Sequence, residues 1–357
     1  MSDQVRNRNQ KKKPEKVNTI GFSRADYRGS KSTLCQGCGH NSISNQIISA
    51  LYELDVMPED VMKFSGIGCS SKSITYFLGR SFGFNGLHGR MPSFATGASF
   101  ANTNMRVIGI SGDGDTASIG MGQFKHAVRR NTNMLYIVEN NGVYGLTKGQ
   151  FSATVQRGLT LKHHGRSRYL PVDICMEALV SHATFVARSF AGDPQQVKNL
   201  IKAAYCHSGI AVLDIISPCV TFNNQANTMH SYSWGRDHES PLHGIEFVPS
   251  FVPAREEITV EDFEKGGVKE VTLHDNSVVF LKKLEEDYDP TDRWEAYRLL
   301  EEAYENDWLI TGLIYVNPDV PNLHELYGMV NEPLNRLPNE RLRPPKEAID
   351  IVNRMMF

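Results

Sequence analysis

Two polar groups separated by a stretch of chain are the first residues whose types point to chemistry. Gly112-Asp113-Gly114 is followed, after 25 intervening residues, by Asn140-Asn141. A carboxylate and an amide oxygen are hard ligands suited to Mg²⁺, which keeps phosphate oxygens and water in the rest of its octahedral shell. Glycines beside them let the backbone approach a diphosphate closely. The alternative is two unrelated turns, but both groups follow predicted strands, and this context favours a magnesium and diphosphate site.

A second set of chemically capable residues is the six cysteines, Cys35, Cys38, Cys69, Cys175, Cys206 and Cys219. The first two have C-x2-C spacing, so their thiolates can reach one soft metal centre that two distant cysteines complete. This spacing fits both an iron–sulfur cluster and structural zinc, and it does not identify the distant pair. Buried unreactive thiols are the remaining alternative. We expect no disulfide scaffold, because six cysteines are too few for one in a chain of this length without a secretory signal.

Alternating helices and strands must position these groups. The apolar spacing predicts helices over 41–54, 91–104, 117–130, 172–181 and 194–206, and strands over 61–68, 106–111, 134–141, 183–189 and 210–217. Such alternation predicts an α/β fold, a doubly wound parallel sheet covered on both faces. Ligands of these sheets bind at the carboxyl ends of the strands, and both polar groups follow strands there.

The chain divides into three parts by composition. Residues 1–32 are basic and polar and read as a mobile tail, and residues 33–225 form the cofactor-binding domain. Residues 226–357 are a C-terminal extension that we expect to pack on this domain or on a partner subunit. It contains a hairpin-like piece over 268–281 and an acidic helix over 291–307.

Composition excludes several classes of protein. Hydrophobic residues make up 40% and charged residues 22% of the 357 residues, which is ordinary globular usage. The formal net charge of -2 gives no overall field for nucleic acid, so no nucleic-acid partner is expected. No run of about 18 apolar residues exists and the first residues lack an apolar segment, so we expect a cytoplasmic protein without a membrane span.

The motifs LCQGCGH, SGIGCSSK, LHGR, GDGD, ENNGVYGLTKGQ and SPCVTFN, in this order, resemble the β subunit of the 2-oxoacid:ferredoxin oxidoreductases, most like the 2-oxoglutarate type. The resemblance covers about residues 34–224, and it implies the diphosphate domain of the thiamine diphosphate-binding fold. It implies that Asp113, Asn141 and the Val143 carbonyl bind Mg²⁺. It also implies a 4Fe-4S cluster, with the ligands Cys35, Cys38, Cys69 and Cys219. The other two cysteines match no ligand of the family and are interpreted as core thiols.

The same resemblance supplies the candidate binding residues. Those expected to contact thiamine diphosphate are His40, Ile67, Gly68, Cys69, Ser70, His88, Gly112, Asp113, Gly114, Asp115, Asn141, Gly145, Leu146 and Thr147. Lys72, Arg90 and Leu146 are the expected substrate contacts. A lysine is a point charge suited to the second carboxylate of 2-oxoglutarate, although a surface lysine is the alternative. The basic segment 162–168 is interpreted as a loop, with a partner contact or a coenzyme A contact as alternatives.

The implied reaction is the coenzyme A-dependent oxidative decarboxylation of a 2-oxoacid, or its reverse, with electrons passing singly through the cluster to ferredoxin. 2-Oxoglutarate, giving succinyl-CoA, is expected ahead of pyruvate or a broad range of 2-oxoacids. No catalytic residue is assigned with certainty in this chain, because the glutamate that activates thiamine belongs to the pyrimidine-binding domain of an α subunit. We therefore expect an αβ unit that pairs as (αβ)₂. The alternatives are a non-redox thiamine decarboxylase or carboligase with zinc at the cysteines, and a non-catalytic scaffold.

Overall fold

The computed structural model describes residues 16–161, 164–226, 228–242 and 288–356, together with the backbone of two further strands. The strands are β1 (Val61–Ser65), β2 (Phe82–Asn85), β3 (Arg106–Gly112), β4 (Met134–Asn140), β5 (Val143–Tyr144), β6 (Gln150–Phe151), β7 (Thr160–Leu161), β8 (Gly165–Arg166), β9 (Phe185–Phe190), β10 (Ile210–Ile216), β11 (Glu239–Pro241), β12 (Val268–Thr272), β13 (Val278–Lys282) and β14 (Leu309–Val316). The α-helices are α1 (Gly39–Glu53), α2 (Met91–Ala101), α3 (Met121–Arg129), α4 (Ile174–Val180), α5 (Pro194–Cys206), α6 (Tyr232–His238), α7 (Arg293–Glu305), α8 (Leu323–Leu326), α9 (Asn339–Leu342) and α10 (Lys346–Met356).

Eight strands form one sheet in the order β11-β14-β9-β10-β4-β3-β1-β2. The six strands from β9 to β2 in this order pair in parallel, as the alternation of helices and strands predicts. The α/β fold and the parallel sheet are therefore confirmed. Two strands of the C-terminal extension also join the sheet: β14 pairs antiparallel with β9, and β11 pairs parallel with β14.

Apolar side chains fill both faces of the sheet. Along β4, Leu135 and Ile137 belong to the core beneath α1 and α5, whereas Tyr136 and Val138 belong to the core beneath α2, α3, α4 and α7. Successive side chains of a strand point to opposite faces, so a strand buried on both sides has a continuous apolar sequence. The rigid sheet that results holds the carboxyl ends of its strands in fixed relative positions.

The outer segments differ from their predictions in part. Residues 1–15 of the predicted mobile tail lie outside the described residues, but residues 24–27 form a 3₁₀ helix and Tyr27 is buried in the core. The described end of the tail therefore packs on the domain, since Tyr27 has an apolar pocket to fill. In the basic segment, β8 pairs with β7, which lies just before the segment, and residues 162–163 lie outside the described residues.

Two expectations for the extension agree with the structure. β12 and β13 pair antiparallel over the predicted hairpin, whose turn at 273–277 lies outside the described residues. The predicted acidic helix is α7. Among the described helices, none combines the length and apolar character needed to cross a bilayer.

Candidate functional site

Asp113 and Asn141 lie side by side at the carboxyl edge of the sheet. β3 and β4 are parallel neighbours with Gly112 opposite Glu139, so the chain leaves both strands at the same level. The backbone N–H of Asn141 donates to Asp113 Oδ1 at 3.2 Å, and Thr154 Oγ1 donates to Asp113 Oδ2 at 2.8 Å. Burial raises the pKa of Asp113, because the charged carboxylate is poorly solvated there. A bound cation would offset this cost.

A tight turn after β4 presents further oxygen ligands. Gly142 has a φ of +72°, and a Cβ there would lie 2.8 Å from Asn223 Nδ2, so only glycine fits this position. The Asn223 amide donates to the Asn141 carbonyl at 2.9 Å, and Val143 N donates to Asn141 Oδ1 at 3.1 Å. The Asp113 carboxylate and the Asn141 amide thus stand close together, and the Val143 N–H is bonded to the amide oxygen. This donor set fits Mg²⁺.

One cleft opens at this edge, and the structure places every predicted thiamine diphosphate residue on its walls. The lining residues are His40, Ile67, Gly68, Cys69, Ser70, His88, Gly112, Asp113, Gly114, Asp115, Glu139, Asn141, Val143, Tyr144, Gly145, Leu146 and Thr147. The sequence motifs do not single out two of them, Glu139 and Tyr144, as contacts. Both lie within the ENNGVYGLTKGQ motif, so the signal that finds them is their place beside the predicted ligands.

The three predicted substrate residues do not all reach this cleft. Leu146 lines it, but Lys72 and Arg90 are absent from its walls. Lys72 lies on the 3₁₀ helix Ser70–Thr75, half-buried, and its charge acts on the nearby Cys69 thiol. Arg90 is exposed at the start of α2. The structure of this chain therefore brings only one of the three to the cofactor cleft.

Asp115 fixes the LHGR loop against the cleft. Its Oδ1 bonds His88 Nδ1 and accepts from the backbone N–H of Gly89 at 2.6 Å, while its Oδ2 accepts from Ser111 Oγ at 2.9 Å. The His88 ring also meets the Tyr144 ring edge to face at 5.8 Å between centroids. Both rings are thus held in place on the cleft wall.

The four candidate cluster cysteines lie together at one end of the cleft. A methyl group at Gly145 would lie 3.6 Å from Cys69 Sγ and 3.7 Å from Cys219 Sγ, so these sulfurs are separated by no more than the sum of the two distances. Burial raises the pKa of the Cys38 thiol to about 12, and the nearby Cys219 and Cys69 thiols contribute to this rise. Cys35, the exposed member, accepts a hydrogen bond from Thr221 Oγ1 at 3.6 Å, two residues after Cys219.

These distances bear on the kind of metal centre. Within the described part of the chain, no three His, Cys, Asp or Glu side chains are grouped closely enough to hold a single ion. A four-iron cluster binds each cysteine sulfur through a different iron atom, so its ligands stand further apart than those of one zinc ion. The upper bound on the Cys69–Cys219 sulfur separation leaves room for such a cluster.

The remaining two cysteines lie elsewhere. Cys175 is fully buried in the core beneath α4. Cys206 ends α5, close to the start of β10 and therefore at the opposite edge of the sheet from the cleft. Cys175 agrees with its interpretation as a core thiol, whereas Cys206 is half-buried.

Comparison with known proteins supports the motif assignment. A family model described as "Thiamine pyrophosphate enzyme, C-terminal TPP binding domain" matches residues 66–215, and a model of the C-terminal part of the pyruvate ferredoxin oxidoreductase β chain matches residues 279–332. The 2-oxoacid:ferredoxin oxidoreductase subunit beta of a Sulfolobus species is 40% identical over 220 residues, which are 61% of this chain and 70% of the relative. The chain belongs to the β subunits of the 2-oxoacid:ferredoxin oxidoreductases.

Two further matches of this β subunit have names that refer to 2-oxoglutarate. The 2-oxoglutarate oxidoreductase subunit KorB of Mycobacterium tuberculosis is 39% identical over 194 residues, which are 53% of this chain and 51% of the relative. A solved structure of the 2-oxoglutarate:ferredoxin oxidoreductase from Magnetococcus marinus, with 2-oxoglutarate, coenzyme A and succinyl-CoA bound, matches with a TM-score of 0.69 and 29% identity. The match covers 93% of this β subunit and 100% of that chain. This β subunit is thus part of an oxidoreductase.

Proposed function

We propose that the chain is the β subunit of a 2-oxoglutarate:ferredoxin oxidoreductase that forms succinyl-CoA and CO₂ from 2-oxoglutarate and coenzyme A, or runs the reverse reaction. One observation carries this proposal: Cys69 lines the cleft of predicted thiamine residues and is also the neighbour of Cys219. A cofactor bound in the cleft would therefore adjoin a redox centre held by the cysteines. A non-redox thiamine enzyme has no use for this adjacency.

The oxygen ligands at the end of β3 and β4 would hold the diphosphate end of the cofactor. Asp113, Asn141 and the Val143 carbonyl would bind Mg²⁺, while the backbone at Gly112 and Gly114 approaches the phosphates. Bound thiamine diphosphate supplies the nucleophilic carbon and the electron sink that decarboxylation of a 2-oxoacid needs. His88, held by Asp115, and Leu146 would then shape the wall beside the substrate.

The four thiols would hold a 4Fe-4S cluster. Cys38, Cys69 and Cys219 are half-buried and Cys35 is exposed, so the cluster would have one side toward the cleft and one toward the surface. Such a placement suits electron transfer from the cleft to ferredoxin, the carrier named in the relatives.

The substrate is the finer part of the proposal. Relatives of this chain are named for 2-oxoglutarate. Lys72 lies beside the cleft residue Cys69 but not on the cleft wall, and its charge would attract the second carboxylate from there. The family model that matches residues 279–332 is named for pyruvate, and this favours pyruvate as the second candidate. An α subunit would complete the cleft with the glutamate that activates thiamine. The two subunits would form an (αβ)₂ assembly. A cytoplasmic location stays a prediction.

Anaerobic co-purification with the partner chain tests these points together. The complex should reduce ferredoxin with 2-oxoglutarate and coenzyme A at least about tenfold faster than with pyruvate, the size of effect expected when one charged group of the substrate is recognised. The β subunit alone should show no turnover, and Lys72→Ala should raise KM for 2-oxoglutarate but not for pyruvate. Equal rates for both acids, or full activity of the β subunit alone, would contradict the proposal.

A further inference from the structure

Four buried polar side chains form a network on and behind the cleft wall. Ser73, Glu139, His40 and Ser217 are each at most 1% exposed, and we call them the Glu139 network. The proposed cofactor ligands include none of them except His40, a predicted thiamine contact. Their role therefore follows from the chain segments that they connect.

The Glu139 network consists of two hydrogen-bonded pairs, Ser73–Glu139 and His40–Ser217, that lie against each other. The Ser73 hydroxyl donates to the carboxyl group of Glu139, with Oγ 3.0 Å from Oε1 and 2.9 Å from Oε2. On its other side, Glu139 Oε2 lies 3.7 Å from His40 Nδ1, a contact longer than a hydrogen bond. His40 Nδ1 hydrogen-bonds Ser217 Oγ at 2.7 Å.

Each branch of the network ends in a segment that carries cysteine ligands. His40 follows Cys38 by two residues, and Ser217 precedes Cys219 by two. Ser73 lies on the 3₁₀ helix that begins just after Cys69. Glu139 itself belongs to β4, the strand that ends at the proposed Mg²⁺ ligands, and it lines the cleft. The network therefore links all three cysteine-bearing segments to the sheet.

Close packing reinforces this link. A Cβ at Gly39 would lie 2.4 Å from Ser217 Oγ, so the segment after Cys38 and the segment before Cys219 touch directly. Polar side chains in a dry interior are costly when they lose a partner, and a connected network of them fixes the geometry of the groups it joins.

We propose that Glu139 is a positioning residue that holds the three cysteine-bearing segments in register with the thiamine cleft, acting through Ser73, His40 and Ser217. This inference rests on the proposed function, because it assumes a cluster at the four cysteines. Loss of the network loosens the cluster ligands without removing any of them. Outer-sphere partners of metal ligands usually change metal affinity by about 10- to 100-fold.

The test uses the anaerobically purified complex and four variants. Ser73→Ala and Ser217→Ala each remove one hydroxyl, Glu139→Leu removes the hub, and Ser44→Ala is the matched control. Ser44 is a buried serine of α1, and among the described residues its hydroxyl has no hydrogen-bond partner. The readouts are the rate of iron release to a chelator, the midpoint potential of the cluster and the thermal unfolding temperature.

We expect Ser73→Ala and Ser217→Ala to speed iron release by about tenfold and to shift the potential, whereas Ser44→Ala leaves both unchanged. The double variant should increase the iron-release rate over the wild type by a factor that differs from the product of the two single factors. The reason is that both serines act through Glu139 and His40. If Glu139→Leu fails to fold, the two serine variants carry the test.

Two outcomes would overturn the inference in different ways. A wild-type complex without iron and sulfide refutes the proposed function and this inference together. A wild-type complex with its cluster, in which the Ser73 and Ser217 variants behave like Ser44→Ala or combine without coupling, refutes only the role of the Glu139 network.

Discussion

At the scale of single residues, the site contains buried charged and polar groups, whose burial costs free energy unless a ligand or a partner interacts with them. Asp113 is 2% exposed, and two hydrogen bonds offset only part of the cost of burying its charge. The motif predicts this residue and its partner Asn141, because both have the ligand chemistry that Mg²⁺ requires. Thr154, which supports Asp113, is not predictable in this way, since it is distant in sequence and belongs to no motif.

Asp113→Asn should therefore abolish cofactor binding without harming the fold. The substitution removes the buried charge, so the unfolding temperature of the cofactor-free chain should stay the same or rise. The apparent Kd of the complex for thiamine diphosphate at fixed Mg²⁺, measured by titration calorimetry, should weaken by more than about 100-fold, beyond the range of outer-sphere changes. Binding as tight as in the wild type would remove Asp113 from the proposed site.

The cysteines allow a prediction with an internal control. Serine at position 35, 38, 69 or 219 should lower the iron content of the anaerobically purified complex, because each position would contribute one cluster ligand. Cys206→Ser is the matched control, since Cys206 is half-buried like three of these four but lies at the far edge of the sheet. Iron and sulfide analysis should find the control unchanged. An equal loss of iron in Cys206→Ser would show that the four-cysteine assignment is incomplete.

At the scale of elements, the sequence is enough for the types of the main helices and strands but not for their order in the sheet. Apolar periodicity predicts β3, β4, β9 and β10, because parallel strands buried on both faces are short apolar runs. That β4 lies between β3 and β10 follows from long-range pairing, which periodicity does not encode. For the same reason β14, an apolar run in the predicted extension, is not recognisable from sequence as part of the main sheet. Side chains of β4 alternate between the two faces of the sheet, but this alternation does not predict which buried residue Glu139 contacts.

The end of α5 supplies a pH-dependent element. His207 follows this helix, bonds Thr184 Oγ1 through Nε2 at 2.8 Å, and has its pKa lowered to about 3 by burial and by the Arg106 charge. Its folded pKa lies below the ordinary value of 6.5, so its contribution to stability is complete above pH 6.5 and is lost as the pH falls toward 3. His40 and His230, with pKa values lowered to about 4, act in the same direction.

We therefore expect the free energy of unfolding to fall as the pH drops below 6.5, and His207→Gln to remove about one proton's share of this slope, at most about 1.4 kcal/mol per pH unit. Urea unfolding of the chain between pH 7 and pH 5 measures it. His126→Gln, at an exposed position of α3, should leave the slope as it is in the wild type. A slope that His207→Gln does not change would mean that this histidine does not titrate with unfolding.

At the scale of the whole molecule, a border of apolar side chains stays exposed on the edge strand β2 and on the cleft wall. Leu87 is 78% exposed, Phe82 57% and Phe84 49%, on or just after the edge strand β2. Ile67 and Leu146 continue the apolar border on the cleft wall itself. Exposed apolar side chains grouped in one region of a surface mark an interaction site. Because β subunits of this family are named as parts of a larger enzyme, this border is where we expect the α subunit to close the cleft.

A charge on this border should weaken assembly. Burying a leucine side chain contributes about 1.5 to 3 kcal/mol, so Leu87→Glu should weaken association with the α subunit by at least about tenfold. Trp294→Glu is the matched control: Trp294 is 72% exposed on α7, which packs on β14 toward the other edge of the sheet. Light scattering of the mixed subunits measures the association, and circular dichroism checks that both variants fold. If Leu87→Glu assembles as the wild type does, or Trp294→Glu is impaired equally, the α subunit docks on another face, and the incomplete cleft has to be closed without the border around β2.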